Sequence, residues 1–105
     1  MLLTTTDYVP DRKVVEVLGI VRGTCVRAKH IGKDLRAAGR TLIGGEMTYY
    51  SDLLRESRET AVQRMVEEAE ALGADAVVNV RFHTSAVMAG AAEVLAYGTA
   101  VRVSS

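Results

Sequence analysis

A single cysteine (Cys25), a single proline (Pro10), no tryptophan and only five large rings, Phe82 and four tyrosines, deny the sequence several common ways of holding a small fold together. One cysteine excludes an internal disulfide and fits a reducing compartment. Thirteen basic and thirteen acidic residues cancel, so no net field draws the chain toward nucleic acid or anionic lipid. No stretch has the ~20 consecutive apolar residues of a membrane span. The first residues, Met1 to Asp7, lack the basic start and apolar run of a secretory leader, so a cytoplasmic, non-membrane protein is expected.

What the chain has instead is small aliphatic side chains. Apolar residues make up 49% and aromatics 5%, which predicts a core of Val, Ala, Leu and Met and suits close packing of a helix on a sheet. With 105 residues it is one domain, spanning 1–105. A domain of this size buries roughly 60 to 70% of its unfolded surface.

The pattern is organised around Glu46 to Leu72. Tyr50, Leu54, Ala61, Met65, Ala69 and Leu72 recur at helical spacing, flanked by Leu53, Val62 and Val66, with charged residues between them. This predicts a long amphipathic helix that starts between 46 and 52, where Thr48 or Ser51 could cap it. Gly73 should close the helix in a left-handed conformation. Before it, Leu2 to Thr5 reads as a short strand and residues 7–11 as a turn. Val14 to Val26 reads as a strand with apolar residues on both parities: Val15, Val17 and Val21 on one, Leu18, Ile20 and Val26 on the other. One helix layer covers one face of a sheet, so the second face is expected to meet another subunit. A weaker helical period over Ala28 to Ile43 predicts a shorter helix, broken by Gly44-Gly45.

After the long helix, Ala76, Val78, Val80 and Phe82 alternate with Val77, Asn79, Arg81 and His83, which predicts a strand with one buried face. Residues 84–92 read as a loop, and Glu93 to Val103 as a last strand, apolar on both faces. Gly23 to Arg27 and Gly98 to Arg102 echo each other, but five residues are too few for a repeat. The fold class is α+β, a small antiparallel sheet packed on a long helix plus a shorter one.

Gly44-Gly45, Tyr50, Arg58, the run Leu72-Gly73-Ala74-Asp75-Ala76-Val77-Val78 and Gly98-Thr99-Ala100-Val101 together resemble the YbjQ family. Thr4-Thr5-Thr6 and Gly19-Ile20-Val21 fit the same pattern, so the likeness covers nearly the whole chain. The resemblance implies a dodecin-like subunit that forms a ring, most often a pentamer, in a family that carries a heavy-metal-binding label. It implies no particular activity.

Several residue groups are candidates for chemistry. Cys25, His30 and His83 are the soft or borderline metal ligands. A mononuclear site wants three or four such groups converging, which repetition around a ring could supply and a paired-cysteine motif here does not. Arg27 to Arg40 holds five basic residues against Asp34, a net plus four, and Glu46 to Asp75 holds eight acids against three arginines, a net minus five. The basic stretch could bind nucleic acid but has no interleaved aromatics; solvation and pairing with the acidic helix is the favoured use. Asp52, Glu56 and Glu59 share a helix face with Arg55 among them, an ordinary solvating arrangement rather than a catalytic pair. Gly44-Gly45 could present amides to a small anion, with Arg40, Tyr49 and Tyr50 as the nearest groups to hold it. The expected function is a non-enzymatic, homo-oligomeric binding or scaffold module that holds a metal or small anion where subunits meet. An enzyme with an intersubunit site and a basic-patch nucleic-acid binder are the alternatives.

Overall fold

The computed structural model describes residues 1–28, 48–88 and 91–105. In chain order the elements are β1 (Leu2–Leu3), β2 (Val14–Ala28), α1 (Thr48–Ala71), β3 (Ala76–Met88) and β4 (Ala91–Val103). They form one four-stranded sheet, order β1-β3-β4-β2, with α1 on one face. β4 is antiparallel to both of its neighbours, but β1 pairs parallel to β3, Leu2 opposite Ala76 and Leu3 opposite Val77. The sheet is therefore mixed rather than purely antiparallel. A parallel pair needs a long crossover, and β2 with α1 supplies one between β1 and β3. The shorter helix expected over 28–43 lies outside the described residues, except that Ala28 ends β2. The expected loop over 84–92 is corrected as well, since β3 runs to Met88 and β4 starts at Ala91.

The helix forms where its periodicity places it. Ala61, Met65 and Ala69 are fully buried against the sheet, and Leu54 and Val62 pack beside them. Ser57 lies on the same stripe and is buried too; its hydroxyl donates to the Leu53 carbonyl at 2.8 Å, so no orphan polar group enters the core. Leu72, expected inside, is exposed because the helix has already ended. Gly73 takes φ +76° and donates to the Glu70 carbonyl at 2.9 Å, while Ala74 donates to the Ala69 carbonyl at 3.1 Å. These two bonds form a Schellman cap, which satisfies carbonyls the last turn leaves free and turns the chain into β3.

Irregular strand pairing decides which residues face the helix. In β3 the register shifts between Val78 and Arg81, with Asn79 at φ +54°, a left-handed position that asparagine tolerates better than most residues. Val77 lies in the helix-side core, Ala76 and Val78 lie in a second cluster on the opposite face, and Val80 is back in the helix-side core. The even alternation expected over 76–83 is thereby interrupted. The bulge also receives the N-terminal segment: Asn79 donates to the Thr6 carbonyl at 2.9 Å and Val80 to the Thr4 carbonyl at 3.0 Å. In β2 a shift between Val17 and Gly19 has a like effect, so that Leu18 packs on the core with Val21 and Cys25.

The second cluster is small. Val9, carried over the far face by the turn that follows β1, covers Ala76, Val78 and Val101. Beyond Val9, none of the described residues covers that face.

The helix approaches β2 most closely at Gly23. A Cβ there would collide with the Ala61 carbonyl and stand 2.5 Å from the Met65 amide nitrogen and 2.9 Å from Arg64 Cβ. The obstacle is mostly backbone, which cannot rotate away. Gly23→Ala is expected to destabilise the fold by about 2 kcal/mol or more, the scale of core overpacking. Urea denaturation checks this, and an unchanged midpoint would refute the close approach.

Candidate functional site

The two faces of the sheet carry different chemistry. On the helix side Cys25 is buried opposite Val94, and Arg27, two residues on, reaches across to α1. Its Nη1 donates to Glu56 Oε2 at 3.0 Å and its Nη2 to Thr60 Oγ1 at 3.4 Å. Contact with the Cys25 side chain, and to a lesser degree the charge of Glu56, pushes the Arg27 pKa further up against a smaller opposing effect of desolvation. Arginine is cationic at neutral pH in any case. With both partners solvated, the ion pair contributes little to stability. It is one instance of the expected pairing between the basic stretch and the acidic helix. Arg64 donates to the Thr24 carbonyl, which ties the helix to the β2 backbone a second time.

Two of the helical carboxylates meet arginines. Glu56 is engaged by Arg27, and Asp52 lies 3.6 Å from Arg55. Between α1 and β3, Arg58, Glu59, Val62, Gln63 and the half-exposed Phe82 line an open groove of about 390 Å³.

The far face is built by three strands in register. Arg22 of β2, Tyr97 of β4 and Arg81 of β3 stand on one rung, and Thr24, Leu95 and His83 on the next. Cross-strand neighbours have Cβ atoms roughly 5 Å apart. The orientation follows from the adjacent positions, since Val94 and Ala96 of β4 are buried under the helix and Leu95 and Tyr97 must point the other way. Ile20, Arg22, Leu95 and Tyr97 line a shallow depression of about 220 Å³. Arg81 is held by two bonds from Nη1, to the Thr5 and Val80 carbonyls, each 2.9 Å. Among the described residues, Arg22 makes no side-chain hydrogen bond or ion pair.

The sequence candidates fare unequally. Cys25 and His83 belong to opposite faces of the sheet, so they cannot share a metal within one chain. His30, Arg40, Gly44 and Gly45 lie outside the described residues, and Tyr49 and Tyr50 fall in the first turn of α1. Among the described residues there is no group of three or more His, Cys, Asp or Glu positioned to hold a metal ion. The donors described here therefore do not fit a metal centre inside one subunit. Sequence reading placed Tyr97 and Leu95 on one side of the last strand and Arg81 and His83 on one side of the strand before it. It missed that they meet Arg22, because register across strands leaves no local signal.

The comparisons with known proteins agree with one another. The YbjQ family model, described as "Putative heavy-metal-binding", matches residues 1–104. A UPF0145 protein of Methanosarcina acetivorans is 56% identical, covering 98% of this chain and 97% of that one, and a UPF0145 protein of Archaeoglobus fulgidus is 58% identical over 98% and 95%. Among solved structures, a protein of unknown function from the DUF74 family of Pediococcus pentosaceus superposes with a TM-score of 0.64. It covers 99% of this chain and 98% of its own length at 16% identity, a likeness of fold.

The burial of Cys25 has a direct readout. The native thiol should react with a disulfide reagent at least about a hundredfold more slowly than the unfolded chain, because access requires the helix to lift. Stopped-flow labelling with and without urea measures this; a native thiol that reacts as fast as the unfolded one would place Cys25 outside the core.

Proposed function

The chain belongs to the YbjQ family, and from that premise we propose that it acts as a homo-oligomeric binding or scaffold module, assembled as a pentameric ring in which another copy covers the apolar β2 edge of the sheet. The supporting observation is the surface of β2. Val15, Val17, Ile20 and Val26 are 56 to 66% exposed on a strand that is itself an edge of the sheet. An apolar edge with unpaired backbone groups is a hazard unless something covers it. Copies of the same chain are the simplest cover, and contacts between two different patches close into rings.

A ligand at the junctions is the second part of the reading. His83 on the open face can be repeated by symmetry, whereas Cys25 is shut behind the sheet. Any metal bound by the assembly is therefore assigned to imidazoles from several copies and not to the thiol.

Two measurements test these points. Light scattering behind a sizing column should give a mass near five times 11.3 kDa, and Val17→Lys with Ile20→Lys should shift it downward while α1 remains folded by circular dichroism. A wild-type mass equal to one chain at micromolar concentration would overturn the ring. Zinc titration should give binding that His83→Ala lowers and Cys25→Ser leaves unchanged; the reverse pattern would overturn the assignment to imidazole.

A further inference from the structure

We infer that the rung Arg22-Tyr97-Arg81 on the open face is a binding site for a phosphorylated aromatic ligand, a nucleotide either free or within a single strand. The inference rests on the reading of the chain as a binding module and does not depend on the number of subunits.

Three observations combine. First, the register sets Tyr97 between two arginines on one rung, with neighbouring Cβ atoms roughly 5 Å apart. Tyr97 is 38% exposed on the flat middle of a sheet, the placement in which an aromatic ring serves as a stacking platform for a base. Second, the two cations differ in a useful way. Arg81 is fixed by its bonds to the Thr5 and Val80 carbonyls, so part of its ordering cost is met before a ligand arrives, and its Nε and Nη2 are not used by those bonds. Arg22 has no side-chain partner among the described residues and borders the depression beside Tyr97. Third, the local charge has one sign. The next rung, Thr24-Leu95-His83, holds no carboxylate, and the first one along these rungs, Glu93, stands opposite Val26 and Ser85, a further rung away.

An anion alone would satisfy the arginines but leave the ring unused, and an apolar ligand would leave two guanidinium groups beside a dry contact. A ligand with a planar ring and a phosphate uses all three side chains. Arginine suits phosphate because its donors form a rigid fork.

The test uses the full chain with four probes: adenosine 5′-monophosphate, adenosine, inorganic phosphate and a ten-residue oligothymidylate, each followed by calorimetry and by amide shifts of β3 and β4. The monophosphate or the oligonucleotide is expected to bind at least tenfold more tightly than adenosine or phosphate. Tyr97→Leu and Arg22→Ala should each weaken that binding at least tenfold, and Tyr97→Phe, which keeps the ring, should retain it. The light-scattering mass and the melting temperature of each variant separate loss of the site from loss of the assembly or the fold. Comparable affinity for the two nucleotide probes points to a free nucleotide; much tighter oligonucleotide binding that weakens with salt points to a strand. Either result supports the shared chemistry. Binding by neither, affinity no better than that of phosphate, or indifference to Tyr97→Leu would overturn it.

Discussion

The contact between the α1 backbone and Gly23 sets the spacing of the whole molecule. A helix normally rides on the side chains of a sheet, but here the Ala61 carbonyl and the Met65 amide come down onto a residue with no side chain. The opposing positions are also small: Ala96 and Ala100 on β4 and Ala61 and Ala69 on α1 are buried in the same core. Small residues remove volume, and the helix closes the gap to restore native packing density. The scarcity of aromatic residues thus determines how near the two layers lie.

That closeness fixes where the helix can and cannot reach. Pressed onto β2 and β4, α1 covers Val21, Cys25, Val94 and Ala96 but leaves Phe82 of β3 half exposed at its flank. Among the described residues, the far face receives only the Val9 turn, which covers its lower end at Ala76, Val78 and Val101. The bulge at Asn79 makes this division workable. It carries Val78 toward Val9 and Val80 toward the helix, and its amides donate to carbonyls of the N-terminal segment. One strand thereby serves two small clusters, which a regular period of two could not do.

The same irregularities mark what could be read from the sequence. The long helix was legible because Leu54, Ala61, Met65 and Ala69 repeat at steps of seven and four, which share one face of a helix but not of a strand, and Gly73 names its end. Strand positions were legible from valine-rich alternation, and so was the surplus of apolar residues on β2, now visible as exposed Val17 and Ile20. The face of Ala76 and Val78 was not, because a bulge reverses parity without changing composition. The parallel placement of β1 also escaped, since two residues carry no direction. Ser57 was hidden for a related reason: a hydroxyl bonded to its own helix four residues back reads as polar but packs like a small apolar group.

The open face can then be understood as two adjoining surfaces with different demands. Along the β2 edge, which pairs with β4 alone among the described strands, Val15, Val17, Ile20 and Val26 offer apolar contact, which favours another protein surface. Toward the middle of the sheet, Arg22, Tyr97 and Arg81 interrupt that apolar character with two guanidinium groups and a phenol. A protein partner lying flat over both would have to desolvate two guanidinium groups, at a cost met only if it brought acceptors to each. A partner engaging the edge alone leaves the central rung open to solvent and to small ligands. On the proposed reading, the arrangement of charge therefore suits assembly at the edge and leaves the middle of the face for the ligand.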